Sequence, residues 1–221
     1  MNALKRFFRN HRHAWALGYF PFYLAAFFML ERMPGRTPHI IHSSLDALIP
    51  FCEYFVVPYF LWFVFIAVTL WWFFFNDVPG YYRLMSYLCA GMTVFLIVSA
   101  LWPNGLHLRP AYIPRDNLFV DMVRFLYRID TSTNVMPSLH VYNTLCCWVA
   151  IGRSSRLRSN RLLQAGTAVL SVSIILSTLF LKQHSFVDVS TAFMLAFALY
   201  FPCYAVRPAR RPRRLRRLTG R

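Results

Sequence analysis

The chain alternates between long apolar runs and short polar breaks. Runs near 14–30, 54–75, 81–102, 162–181 and 186–206 approach or reach the ~20 residues that a helix needs to cross a bilayer. A sixth run, 138–152, is shorter and starts inside a polar loop. The pattern predicts an all-α membrane protein, with six transmembrane helices in one domain over residues 1–221.

Two of the polar breaks are long enough to hold structure of their own. In "TPHIIHSSLDALIPF", Thr37 is a candidate N-cap and Pro38 a candidate first helical residue. Ile41, Leu45, Leu48 and Ile49 would then share one face, which predicts an interfacial helix. His39 and His42 read as surface residues of that segment. In the second break, 103–137, the stretch "DNLFVDMVRFLYRID" puts Leu118, Met122, Phe125, Leu126 and Ile129 at helical spacing. It predicts a short helix in the outer loop, lying over the membrane as a lid or wall.

Composition agrees with the pattern. The chain is 57% hydrophobic and 14% charged, where a soluble domain has about a quarter charged residues. The five cysteines lie in or beside apolar runs and read as packing residues, neither a disulfide framework nor a metal set. The run 14–30 carries bulky aromatics and is followed by no small-residue cleavage site, so it is expected to stay as a span.

The net charge of +16 changes the picture only through its distribution. Eight arginines crowd into 207–221, and Lys5, Arg6, Arg9 and Arg12 precede the first run. Such a basic tail suits the anionic lipids of a cytoplasmic leaflet; nucleic acid is not expected as a partner. With Arg83, Arg153, Arg156, Arg158 and Arg161, seventeen of the 24 basic residues fall on the side of the termini. The positive-inside rule then places both termini in the cytoplasm. Seven of the eight acids, all but Asp77, fall on the opposite side.

That outer side also holds three short motifs: "LHLRP" with Arg109, "MPSLH" with Ser138 and His140, and "LKQHSFVDV" with Lys182, His184 and Asp188. His184 and Asp188 are four apart and share a helix face. The carboxylate can hold one imidazole nitrogen and leave the other as a base or nucleophile. Ser138 opens a helix whose N-terminus favours an anion. His140, two residues on, can give a proton to a leaving oxygen. Arg109 and Lys182 are candidate phosphate contacts. Ionisable groups at a membrane face are costly without a role.

In order and spacing these motifs resemble those of the type 2 phosphatidic acid phosphatase superfamily, integral-membrane lipid phosphatases and phosphotransferases with a six-helix core. The resemblance implies His184 as nucleophile, Asp188 as its orienting group and His140 as general acid, with Arg109 and Ser138 on the phosphoryl oxygens. It implies no metal or other cofactor. The expected substrate is a lipid phosphate, hydrolysed through a phosphohistidine at the outer face of a bacterial cytoplasmic membrane. The alternative is transfer of the phosphoryl headgroup to an alcohol acceptor. This chain departs from the family pattern where Trp102 and Thr178 replace two usual cations, and where Leu139 replaces a usual glycine. Lys182 is the candidate replacement for one of those cations.

Overall fold

The computed structural model describes residues 11–33 and 37–205. Lys5, Arg6, Arg9 and the basic tail 207–221 lie outside the described residues. A 3-10 stretch, Arg12–Gly18, leads into α1 (Tyr19–Glu31). Then follow α2 (Ser44–Leu48), α3 (Val56–Asn76), α4 (Val78–Leu101), α5 (Leu118–Ile129), α6 (Leu139–Arg153), α7 (Arg161–Phe180) and α8 (Phe186–Tyr200). The last continues as a π-helical turn, Phe201–Ala205.

Among the described residues, five stretches are long and apolar enough to cross a membrane: Arg12–Glu31, Glu53–Asn76, Val78–Leu101, Arg161–Phe180 and Phe186–Tyr204. Their large exposed side chains, such as Phe28, Phe63, Trp71, Val169 and Phe197, form the surface that lipid tails would cover. The sixth apolar run became α6, which has only 15 residues and a length of about 22 Å. It sits in the middle of the bundle, packed against α3, α4, α7 and α8.

Close packing around α6 depends on a glycine. A Cβ on Gly91 of α4 would lie 2.1 Å from the Tyr142 ring of α6. The Tyr142 hydroxyl donates to the Tyr87 carbonyl at 2.6 Å, and the Tyr87 hydroxyl donates to the Ala196 carbonyl at 2.5 Å. Helices α4, α6 and α8 are thereby tied together inside the core.

The outer loops are knitted to each other. Strand β1 (His39–Ile40) pairs in parallel with β2 (Asn104–Gly105). The Asn104 side-chain oxygen accepts the Val135 and Met136 N–H groups at 2.8 and 2.9 Å. The expected interfacial helix starting at Thr37 is therefore corrected. Backbone pairing with 104–105 keeps 39–40 extended, and the helix begins only after Ser43. Ser43 and Asp46 form a capping box there, which satisfies the first free N–H groups. His39 and His42 are exposed, as expected.

Helix α5 occurs where the spacing placed it, capped by Asn117, whose side chain accepts the Val120 N–H at 3.0 Å. Only part of the apolar set at helical spacing is buried. Val120, Val123 and Leu126 face the protein, packing with Val56, Tyr59, Ile113 and Leu181. Leu118, Phe125 and Ile129 are exposed. The helix is apolar around most of its girth, so spacing alone could not choose the side facing the bundle.

Candidate active site

The site grows from the turn between α7 and α8. Helix α7 ends in a Schellman motif: the Lys182 N–H bonds the Leu179 carbonyl and the Gln183 N–H bonds the Thr178 carbonyl, both at 3.0 Å. Lys182 has φ 55°, a left-handed value that costs a side chain about 1–2 kcal/mol. The reversal sends Lys182 outward and brings Gln183 and His184 inward. The Lys182 ammonium donates to the backbone carbonyls of Asp46 (2.7 Å) and Ile49. Partial burial pushes its pKa down, with Asp46 opposing.

Ser185 caps α8, and Asp188 completes a capping box. The Asp188 carboxylate accepts the Ser185 N–H at 2.9 Å and pairs with His184 Nδ1 at 2.7 Å. With Asp188 ionised, the proton sits on Nδ1 and the Nε2 lone pair is left for chemistry. Asp46, from 140 residues earlier, adds a second cap: its carboxylate accepts the Ser185 hydroxyl at 2.7 Å and the Phe186 N–H at 2.8 Å.

His140 enters from the first turn of α6. Its ring lies between Tyr59 and Trp62 of α3, with centroids 4.5 and 4.3 Å away. Its Nε2 is buried without a hydrogen-bond partner. The His140 and His184 centroids are 5.8 Å apart, within reach of one shared phosphoryl group.

Both histidines line a cavity of about 370 Å³. One wall is aromatic, with Phe27 and Phe28 of α1 and Phe60 and Phe63 of α3. The other is polar, with Asp130, Thr131, Asn134 and Gln183. Glu31 ties α1 to this polar rim. It accepts from the Thr131 hydroxyl at 2.5 Å, the Thr133 hydroxyl at 3.1 Å and the Asn134 amide at 2.7 Å.

His140, His184 and Asp188 are thus brought together. The three expected substrate contacts stand differently. Ser138 is fully buried and caps α6, accepting the Val141 N–H at 3.4 Å. Arg109 donates to the Tyr127 carbonyl (3.1 Å), the Asp130 carbonyl (2.9 Å) and the Gln183 side-chain oxygen (2.6 Å). Its guanidinium lies 4.6 Å from the Tyr127 ring centroid. Ser138, Arg109 and Lys182 do not line the cavity. The Lys182 amine, expected on the substrate, is instead bonded to the Asp46 and Ile49 carbonyls.

Four residues were not singled out in the sequence: Tyr59, Trp62, Asp130 and Gln183. Only Gln183, adjacent to His184 in "LKQHSFVDV", carried any local signal. The Tyr59 hydroxyl donates to Asp130 at 3.1 Å. Burial raises the Asp130 carboxyl above its ordinary range, while His184, Tyr59 and Arg109 pull it back. Burial likewise pushes the Tyr127 phenol up to about 12, with Arg109 opposing. Among the described residues, no three His, Cys, Asp or Glu side chains gather as a metal site. Compared with models of protein families, with curated proteins and with solved structures, the chain matches none.

Proposed function

We propose that the chain is an integral-membrane enzyme that dephosphorylates a lipid phosphate through a phosphohistidine. The observation that carries this reading is the His184–Asp188 pair, held at 2.7 Å and facing His140 across a cavity with one aromatic wall. The His184 Nε2 lone pair forms a bond to phosphorus as the ester P–O bond breaks. The departing oxygen takes the proton from His140 Nε2. Water, deprotonated by His140, then attacks phosphorus and breaks the P–N bond. The apolar tail rests among Phe28, Phe60 and Phe63 while the headgroup reaches the histidines.

In this reading six helices cross the membrane. The sixth is α6, which spans in spite of its length because other helices enclose it and its ends meet protein rather than lipid. Helix α5 and the segment carrying α2 lie at the interface. The termini are cytoplasmic, and the histidines open to the extracytoplasmic side of a bacterial inner membrane. The basic tail meets anionic lipid on the other side.

A second reading, transfer to an alcohol, draws on one observation. Apart from its histidines and the phenols of Tyr23 and Tyr59, Asp130 is the one ionisable side chain among the described residues lining the cavity. Among the described residues no lysine or arginine lines it to select a doubly charged phosphate monoester, and the aromatic wall suits an apolar acceptor. The deciding assay offers purified protein a panel of lipid phosphates and phosphodiesters, with and without alcohol acceptors. Free phosphate without an acceptor, lost in His184→Ala, supports hydrolysis; phosphate found only in new esters supports transfer. Full turnover by His184→Ala would sink both.

A further inference from the structure

Gln183 lines the cavity and is 3% exposed. The orientation of its amide is fixed chemically. Arg109 reaches its side-chain oxygen at 2.6 Å, and a guanidinium can only donate. The oxygen therefore faces Arg109, and the NH2 group faces away from it. That Nε2 is buried and has no hydrogen-bond partner. Arg109 itself points elsewhere, with its terminal nitrogens bonded to the Tyr127 and Asp130 carbonyls and to Gln183.

Resting on the phosphoryl-transfer reading above, we propose that Gln183, and not Arg109, hydrogen-bonds a phosphoryl oxygen of the substrate. Arg109 is a positioning residue. It fixes the amide so that its N–H groups face the cavity, and it polarises that amide through the bonded oxygen. The positive charge near the site thus acts through a neutral donor beside His184. Because Gln183 directly precedes the nucleophile, the backbone turn that aims His184 also aims this donor.

The test uses the full chain in detergent micelles and inorganic phosphate as probe, with affinity measured by equilibrium dialysis. Gln183→Glu keeps an acceptor for Arg109 and gains an ion pair, but it has no donor hydrogen for the cavity. Gln183→Met removes the donor without adding charge. Both variants are expected to bind phosphate at least tenfold more weakly, equivalent to about 1.4 kcal/mol. Gln183→Glu should keep the unfolding temperature of the parent, which separates donation to the ligand from a structural role.

Undiminished binding in Gln183→Met overturns the proposal, even if Gln183→Glu is impaired, since charge repulsion would then explain that loss. Undiminished binding in both overturns it while leaving the phosphohistidine reading in place. If the parent protein binds no phosphate at all, that reading fails and this proposal falls with it.

Discussion

In the proposed mechanism Asp188 holds the nitrogen of His184 that does not react, so its charge matters as much as its position. Asp188→Asn keeps the size of the side chain. Its amide oxygen cannot accept from both His184 and the Ser185 N–H as the two carboxylate oxygens do. Turnover is expected to fall about 10²–10⁴-fold, with the lipid concentration for half-saturation little changed, as steady-state kinetics would read. A second expectation concerns pH. Burial raises the Asp130 carboxyl above 3.8, so the folded state holds that proton more tightly than the unfolded chain. Its contribution is fully present below the unfolded value and is lost as pH rises through the folded one. Asp130→Asn should therefore flatten the decline in stability with rising pH that begins near 3.8, as read by thermal unfolding over a pH series. These two acids also mark what the sequence made legible. Asp188 sits four residues from its partner, a spacing visible in the chain. Asp130 bonds a tyrosine 71 residues away, and no local pattern announces such a contact.

Among the elements, apolar runs located the long helices because composition alone decides what can sit in lipid. The expected runs 54–75 and 162–181 became Val56–Asn76 and Arg161–Phe180. Local capping chemistry was harder to place. Thr37–Pro38 is a sound helix start, yet strand pairing with 104–105 overrode it and Ser43 took the cap. The turn after α7 was equally hidden, because its left-handed residue is a lysine and not the usual glycine. Gly91 is the reverse case, an ordinary glycine in an apolar run whose need appears only when Tyr142 is seen crossing it. Gly91→Ala is expected to destabilise by about 1–3 kcal/mol or more, since the added carbon must displace a packed ring. Reversible unfolding in mixed micelles reads this directly. An unchanged midpoint would mean that α4 and α6 approach less closely than described.

For the molecule as a whole, the uneven spread of basic residues predicts one orientation. Single cysteines placed in the 103–134 loop of a cysteine-free variant should react with a membrane-impermeant maleimide in intact cells. Cysteines placed in 207–221 should react only after the membrane is opened. The opposite labelling would invert the protein and move the histidines to the cytoplasmic side. The tie between Asp46 and the start of α8 has a consequence for how the protein comes into being. Asp46 and its partner Phe186 are 140 positions apart, so a ribosome adding residues one by one finishes the second roughly 7–28 s after the first. Through that interval the acid has only its local capping box with Ser43 to serve. A nascent chain stalled before Asp188 holds most of its apolar helices but lacks the His184–Asp188 pair. In the proposed mechanism, chemical competence is therefore a late event of synthesis.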